Sequence, residues 1–155
     1  MYPEELKYSK EHEWVRMNGN IAEVGVTVFA QESLGDVVFV DLPAEGSDVE
    51  QFAKFGEIES VKAVSDLFSP VGGKIVEVNS AATDAPEVVN EEPYGSGWLI
   101  KVELSDTAQL DDLMDAARKM ATKISRKPPE ALRMTKRLLK ESEFQRLDTA
   151  LEMAA

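Results

Sequence analysis

Seventeen residues, Glu57-Ile-Glu-Ser-Val-Lys-Ala-Val-Ser-Asp-Leu-Phe-Ser-Pro-Val-Gly-Gly73, constrain this chain more than any other stretch of it. They set one lysine, Lys62, between two short β-like runs, with Glu57 and Glu59 before it and Asp66 after it. A Ser-Pro-x-Gly-Gly turn closes the segment, and Glu57–Val61 and Lys74–Val78 read as the strands that bracket it. By itself, a lysine in such a place is most often an ordinary solvated side chain. Val61 and Ala63 are poor turn residues that a type I turn merely tolerates, so the residues alone do not demand a hairpin at Lys62.

The first 115 residues are a succession of short strands and turns. Glu13–Met17 and Ile21–Val26 flank Asn18-Gly19, a dipeptide that strongly favours a two-residue hairpin. Thr27–Leu34 suits one short helix, with Thr27 as its N-cap and Gly35 as its stop. Val37-Val-Phe-Val40 is a continuous apolar run that predicts a buried strand. In the run from Trp98 to Leu104, residues Trp98, Ile100, Val102 and Leu104 share one face at period two. Short strands with frequent turns predict a mainly β sandwich or barrel. After Leu104 the period changes, and Leu110, Leu113, Met114, Ala117, Ala121 and Ile124 follow helical spacing.

A length of 155 residues fits one ordinary domain, with room for an appendage and enough chain for a real core. There is no cysteine, which excludes disulfides, Cys-based metal sites and thiol nucleophiles; any redox chemistry must be borrowed. No apolar run approaches membrane-spanning length. No His/Asp/Glu arrangement has metal-ligand spacing, and no glycine-rich helix start suits a phosphate. The net charge of −12 is sharply divided: residues 1–115 hold 7 of the 17 basic and 24 of the 29 acidic residues, a net of −17, against +5 for residues 116–155. Such a break suggests two origins. The acidic first part disfavours nucleic acid and favours docking onto basic surfaces of partner proteins. Solubility alone would also explain the charge.

The lysine segment resembles the lipoyl-attachment region of the H proteins of the glycine cleavage system. The likeness continues in family order through Tyr8-Ser-Lys-Glu-His-Glu-Trp-Val15, the block from Gly25 to Pro43, Glu77-Val-Asn79 and the block from Val89 to Lys101, over roughly residues 6–115. Biotin carriers place methionines around their lysine and lipoyl domains of 2-oxoacid dehydrogenases an aspartate before it, whereas Lys62 stands between Val61 and Ala63. The resemblance implies a barrel-sandwich hybrid with short helices, built of two hairpin-containing halves, with the carrier lysine at one hairpin tip. It implies lipoate joined to Lys62 as an amide, which removes the ammonium charge and leaves a long tether. Such a lysine must protrude from a rigid support rather than sit in a pocket that lowers its pKa.

The same resemblance implies a carrier and not an enzyme. Its arm would accept an aminomethyl group from glycine at a pyridoxal-phosphate-dependent glycine decarboxylase, with loss of carbon dioxide. It would pass that group to a tetrahydrofolate-dependent aminomethyltransferase and be reoxidised by a flavin-dependent dihydrolipoamide dehydrogenase. A lipoate ligase or lipoyltransferase would load the arm. Family-like residues from Tyr8 onward leave no room for a leader, which points to the cytoplasm.

Glu13 and Asp66 match acidic family positions near the arm or its aminomethyl-loaded form, where a carboxylate suits a protonated amine. Ordinary surface acidity is the alternative account of both, with the arm-related role the preferred one for Glu13. The resemblance places Phe29 in the arm's resting cleft as apolar surface, and Val28 stands where the family often has an acidic residue. Glu59 and Asp66 flank the lysine and suit recognition by the loading enzyme, though solvation alone would explain them too. His12, the only histidine, lacks a nucleophile or metal partner and reads as structural.

Asp106–Asp115 fits the short terminal helix of the H proteins. From Ala117 to Leu139 the chain instead resembles the C-terminal helical region of enoyl-CoA hydratases of the crotonase superfamily, chiefly in Lys127-Pro-Pro-Glu-Ala-Leu132 and Thr135-Lys-Arg-Leu-Leu139. Residues 1–115 are therefore expected to form a lipoyl-carrier domain and residues 116–155 an appended helical tail. Pro128-Pro129 should interrupt that tail, and a last short helix should align Phe144, Leu147 and Leu151. The hydratase core with its acid/base carboxylates and oxyanion hole is missing, so no hydratase chemistry is expected. Arg133, Lys136, Arg137 and Lys140 fit the solvated face of an amphipathic helix better than a contact to a CoA phosphate. Two other readings stay open: a relay that donates lipoyl groups to other acceptors, and a non-catalytic chimera whose tail makes an oligomer or acyl-CoA contact.

Overall fold

The computed structural model describes residues 2–124. In chain order the strands are β1 (Lys7–Tyr8), β2 (Glu13–Asn18), β3 (Ile21–Val26), β4 (Val37–Asp41), β5 (Asp48–Val49), β6 (Lys54–Ser60), β7 (Val64–Phe68), β8 (Gly73–Val78) and β9 (Ile100–Leu104). Helices α1 (Val28–Leu34), α2 (Ser80–Asp84), α3 (Val88–Glu91) and α4 (Ala116–Ile124) join or follow them, with a 3₁₀ segment at Thr107–Asp112. Six strands pair in the order β1-β2-β3-β9-β8-β5, and β4, β6 and β7 form a second sheet in that order. This is the expected mainly β, two-sheet barrel-sandwich with short helices. Val24, Ile75, Ile100 and Val102 of the large sheet share one buried cluster with Val37, Val40, Ile58 and Leu67 of the small one.

Local chemistry shifts several boundaries. In the β2–β3 hairpin Asn18 pairs with Ile21, so the turn is Gly19-Asn20 and not Asn18-Gly19. The positive φ of 64° falls on Gly19, the first central residue, where a type II′ turn needs glycine. The run Val37–Val40 is only half-buried: Val37 and Val40 face the core, while Val38 and Phe39 are exposed. Pairing with β6 shifts register between Val37 and Phe39, which turns two successive side chains outward. The strand that follows Lys62 is β7, and Gly73–Val78 belongs to the other sheet. β9 starts at Ile100, leaving Trp98 outside the strand, packed on a second cluster.

The helical period after Leu104 is cut in two by capping aspartates. The Asp106 side chain accepts from the Ala108 N–H at the start of the 3₁₀ segment, and Asp115 accepts from the Arg118 N–H at the start of α4. Between them Met114 runs alongside Tyr8, exchanging backbone hydrogen bonds of 2.7 and 2.8 Å. Met114 and Ala116 both belong to the second cluster, with Tyr2, Leu6, Tyr8 and Trp14, so a boundary at residue 115 falls inside it. α4 is fastened further by Lys119, whose buried Nζ donates to the Ser9 carbonyl at 2.9 Å. The Pro128-Pro129 break, the basic face from Arg133 to Lys140, the helix bearing Phe144 and the hydratase-like segment lie outside the described residues.

Trp14 sits at the centre of the second cluster, fully buried, with its indole N–H shared between the carbonyls of Val26 at 3.0 Å and Pro93 at 2.9 Å. Gly25 is its cross-strand partner, and a Cβ there would lie 2.5 Å from the indole ring. Gly25→Ala is therefore expected to destabilise the chain by about 1–3 kcal/mol, the usual cost of overpacking, read as a lower denaturant midpoint at unchanged m-value.

Candidate functional site

Lys62 stands, exposed, at the tip of the β6–β7 hairpin, which is paired from Lys54–Phe68 to Glu59–Val64. Ser60 makes this turn. Its N–H donates to the Ala63 carbonyl at 2.8 Å, and its hydroxyl accepts from the N–H groups of Lys62 and Ala63, both at 3.1 Å. That side chain supplies the acceptor that Val61 and Ala63 lack, and it is the turn signal that the sequence reading passed over. The Val61 N–H donates to the Asp36 carbonyl at 3.0 Å and ties the tip to the corner between α1 and β4. Lys62 lies against Gly35 of that corner: a Cβ on Gly35 would sit 3.3 Å from Lys62 Cε. Gly35 also has φ 81°, so glycine suits the corner twice over.

Asn90 fixes the corner from the other side. Its Oδ1 accepts from the Val37 N–H, and its Nδ2 donates to the Gly35 carbonyl and to Gln31 Oε1, all at 2.9 Å. Asn90 drew no role from the sequence, because nothing local marks a side chain that bonds residues more than fifty positions away.

Beside the hairpin is a cleft of about 460 Å³. Phe29 of α1, with Glu11 and His12, lines one part; Val64, Asp66 and Phe68 of β7 line another. The fold thus brings together Phe29 and Asp66. Asp66 lies four residues from Lys62, at most about 14 Å of chain, so a long substituent on Lys62 can reach the cleft. Asp66 and Glu57 also share Lys54, at 3.1 and 2.6 Å, in half-exposed ion pairs of small energetic weight. His12 is more than a filler: it holds φ 74° and its ring lies 4.6 Å from that of Phe29. A single histidine without a patterned partner offered no signal for this.

Glu13 is elsewhere. It is only 2% exposed and does not line the cleft, so the plain account of a surface acid is wrong for it. Its carboxylate accepts from the Ser9 hydroxyl at 2.9 Å, while its own N–H donates to that hydroxyl oxygen at 3.1 Å. Burial pushes its pKa from 4.5 up to about 8, outweighing the lowering by the Ser9 hydrogen bond and by the Lys119 charge. β2 is buried on both faces over Glu13–Val15, so strand alternation could not expose this. Among the described residues no cluster of His, Asp or Glu could hold a metal ion, and no helix is long and apolar enough to cross a membrane.

A family model described as glycine cleavage H-protein matches residues 6–126. The chain belongs to that family. It is 58% identical over 115 residues to the glycine cleavage system H protein of Symbiobacterium thermophilum, covering 74% of this chain and 90% of that protein. It is 59% identical over 115 residues to that of Brevibacillus brevis, covering 74% and 91%. A crystal structure of a glycine cleavage system H protein from Mycobacterium marinum matches with a TM-score of 0.72 at 39% identity, covering 78% of this chain and 98% of that one. Glycine cleavage H proteins carry lipoate covalently on a lysine and work with the other proteins of that system. As a member, the chain is a lipoyl carrier and does not itself catalyse.

The Glu13 carboxyl makes stability depend on pH. Between about pH 4.5 and 8 the folded chain keeps a proton that the unfolded chain has lost, so stability falls as pH rises through that window. Glu13→Gln keeps an acceptor for Ser9 but cannot ionise. It should melt closer to wild type at pH 5 and gain on wild type by pH 8.5, in thermal melts followed across that range.

Proposed function

We propose that Lys62 is the lipoyl-attachment site and that the cleft lined by Phe29 and Asp66 shelters the arm. The observation that carries this is the pairing of an exposed lysine on a braced hairpin tip with a cleft formed by the next strand of the same hairpin. The residues fit the group: Lys62 protrudes where an amide can form, and Phe29, Val64 and Phe68 offer apolar surface to a ring. Lipoate supplies the disulfide that takes up and releases the aminomethyl group of glycine. Ser60, Asp36 and Asn90 hold the tip rigid. Asp66 and Glu11 put carboxylates at the cleft, suited to a protonated amine. Glu13, expected as a direct contact, acts instead as a brace: through Ser9 it holds the loop that carries Glu11 and His12.

In this reading the arm travels between glycine decarboxylase, aminomethyltransferase and dihydrolipoamide dehydrogenase, after loading by a lipoate ligase or lipoyltransferase, in the cytoplasm. Tethering raises the local concentration of the arm at each enzyme. The carrier unit extends through α4, because Ala116 and Met120 of that helix belong to the cluster of Tyr8 and Trp14, and the enoyl-CoA hydratase-like residues beyond it form a non-catalytic appendage.

Peptide mapping after expression with a lipoylating system should find the adduct on Lys62, and Lys62→Ala should abolish both the adduct and glycine–bicarbonate exchange. Lipoylation persisting on another lysine would sink the assignment. Truncation after Ile124 should leave lipoylation and exchange within about twofold of the full chain, and the full chain should not hydrate crotonyl-CoA above background. Truncation after Asp115, which strips α4 from the second cluster, should lower the melting temperature sharply. An unchanged melt would place the boundary at residue 115 after all.

A further inference from the structure

We infer that the outer face of the β4-β6-β7 sheet next to Lys62 is the recognition surface for the enzyme that forms the lipoyl–lysine amide, with Phe39 as its apolar anchor. The inference rests on the reading of Lys62 as the attachment site.

Six large hydrophobic side chains are exposed among the described residues, and four of them surround this tip: Val38 at 54%, Phe39 at 52%, Val61 at 67% and Val64 at 58%. Scattered single exposures would need no explanation, but four gathered around one hairpin tip point to an interaction surface. The register defines it. Phe39 stands opposite Glu59, and Glu59 opposite Val64, so these three form one row across the sheet. One step further from the tip, Asp41, Glu57 and Asp66 stand opposite one another as a row of three acids. Like charges directly opposite destabilise a sheet, and the single cation there, Lys54, pairs with only two of the three. The shift of register between Val37 and Phe39 adds to this, since it turns Val38 and Phe39 outward together when one of them would otherwise face the core.

Phe39 and Val64 on either side of Glu59, beside a row of three acids, complement a partner with apolar recesses rimmed by basic groups. The chemistry selects which partner. The loading enzyme must bring Lys62 Nζ itself, as the neutral amine left when the ammonium loses a proton, to an activated lipoyl carbonyl: the new C–N bond forms, the bond to the leaving group breaks with its electron pair, and the nitrogen gives up a second proton. The reacting atom is then within a side chain's length of this face. Partners that act on the loaded arm meet its far end and have no such need to touch Phe39 or Asp41, which lie outside the lining of the cleft. The occupant is therefore a lipoate ligase, gripping the acids by charge and Phe39 by burial.

The test uses the full chain, a purified lipoate ligase, lipoate and ATP. Phe39→Ser should lower kcat/KM for loading by about tenfold or more, Phe39→Leu should restore most of it, and the loss should persist at high salt. Asp41→Asn should lower the rate at low salt only, as expected for steering. Once loaded by prolonged incubation, the Phe39→Ser protein should support glycine–bicarbonate exchange at the wild-type rate, with an unchanged melt. Equal loading of wild type and Phe39→Ser would overturn the inference alone. Equal losses in loading and exchange would overturn it too, by showing a face common to all partners. A wild-type chain that takes no lipoyl group on Lys62 would overturn the attachment site and this surface together.

Discussion

The amide of Asn90 is the interaction on which the functional corner depends. One side chain on α3 satisfies the N–H that opens β4, the carbonyl of Gly35 that closes α1, and a glutamine within α1. The first two sit where regular structure stops and would otherwise leave a backbone polar group unpaired. The adjoining Asp36 carbonyl then receives the N–H of Val61, so the hairpin tip inherits its position from Asn90 at one remove. On the proposed attachment at Lys62 the arm must reach far from a fixed point, and this chain of hydrogen bonds supplies that point.

Around that corner the fold accepts local costs. Glu13 is buried deeply enough to hold a proton near neutrality, and Lys119 is buried on α4 with its Nζ on Ser9. Both converge on the loop from Ser9 to Glu13, whose His12 takes up a positive φ at the cleft. Buried polar groups are tolerated when they are hydrogen-bonded. Here they bind α4 to the wall of the cleft, which is why the second cluster needs residues beyond 115. On the small sheet, three acids face one another across the strands, an unfavourable arrangement that Lys54 offsets at Glu57 and Asp66. Stability gives way there on the face proposed above as a recognition surface.

Much of the fold was legible because it rests on local chemistry. Thr27 caps α1 and Gly35 ends it, as their residue types required. The period-two pattern placed Ile100 and Val102 in the core. Where the reading slipped, a local cue competed with a longer-range one. Asn18 joined the strand because Gly19 alone supplied the positive φ. The run Val37–Val40 predicts a buried strand because an apolar run carries no sign of a shift in register. The helical period after Leu104 looked continuous because Asp106 and Asp115 cap through their side chains, while Met114 is drawn out of helix by its pairing with Tyr8.

The candidate site divides in the same way. Lys62, its acidic neighbours and the blocks that mark its family are legible in the linear order of residues because each is a contiguous stretch of chain. The sequence by itself therefore determined that this is a carrier, which lysine to propose, and a mainly β frame. Only the tertiary structure decided that Ser60 and Asn90 brace the lysine, that His12 joins Phe29 and Asp66 at the cleft, and that Glu13 is buried behind Ser9. Those relations join residues far apart in sequence or depend on burial on both faces of a strand, and neither leaves a periodic trace in the chain.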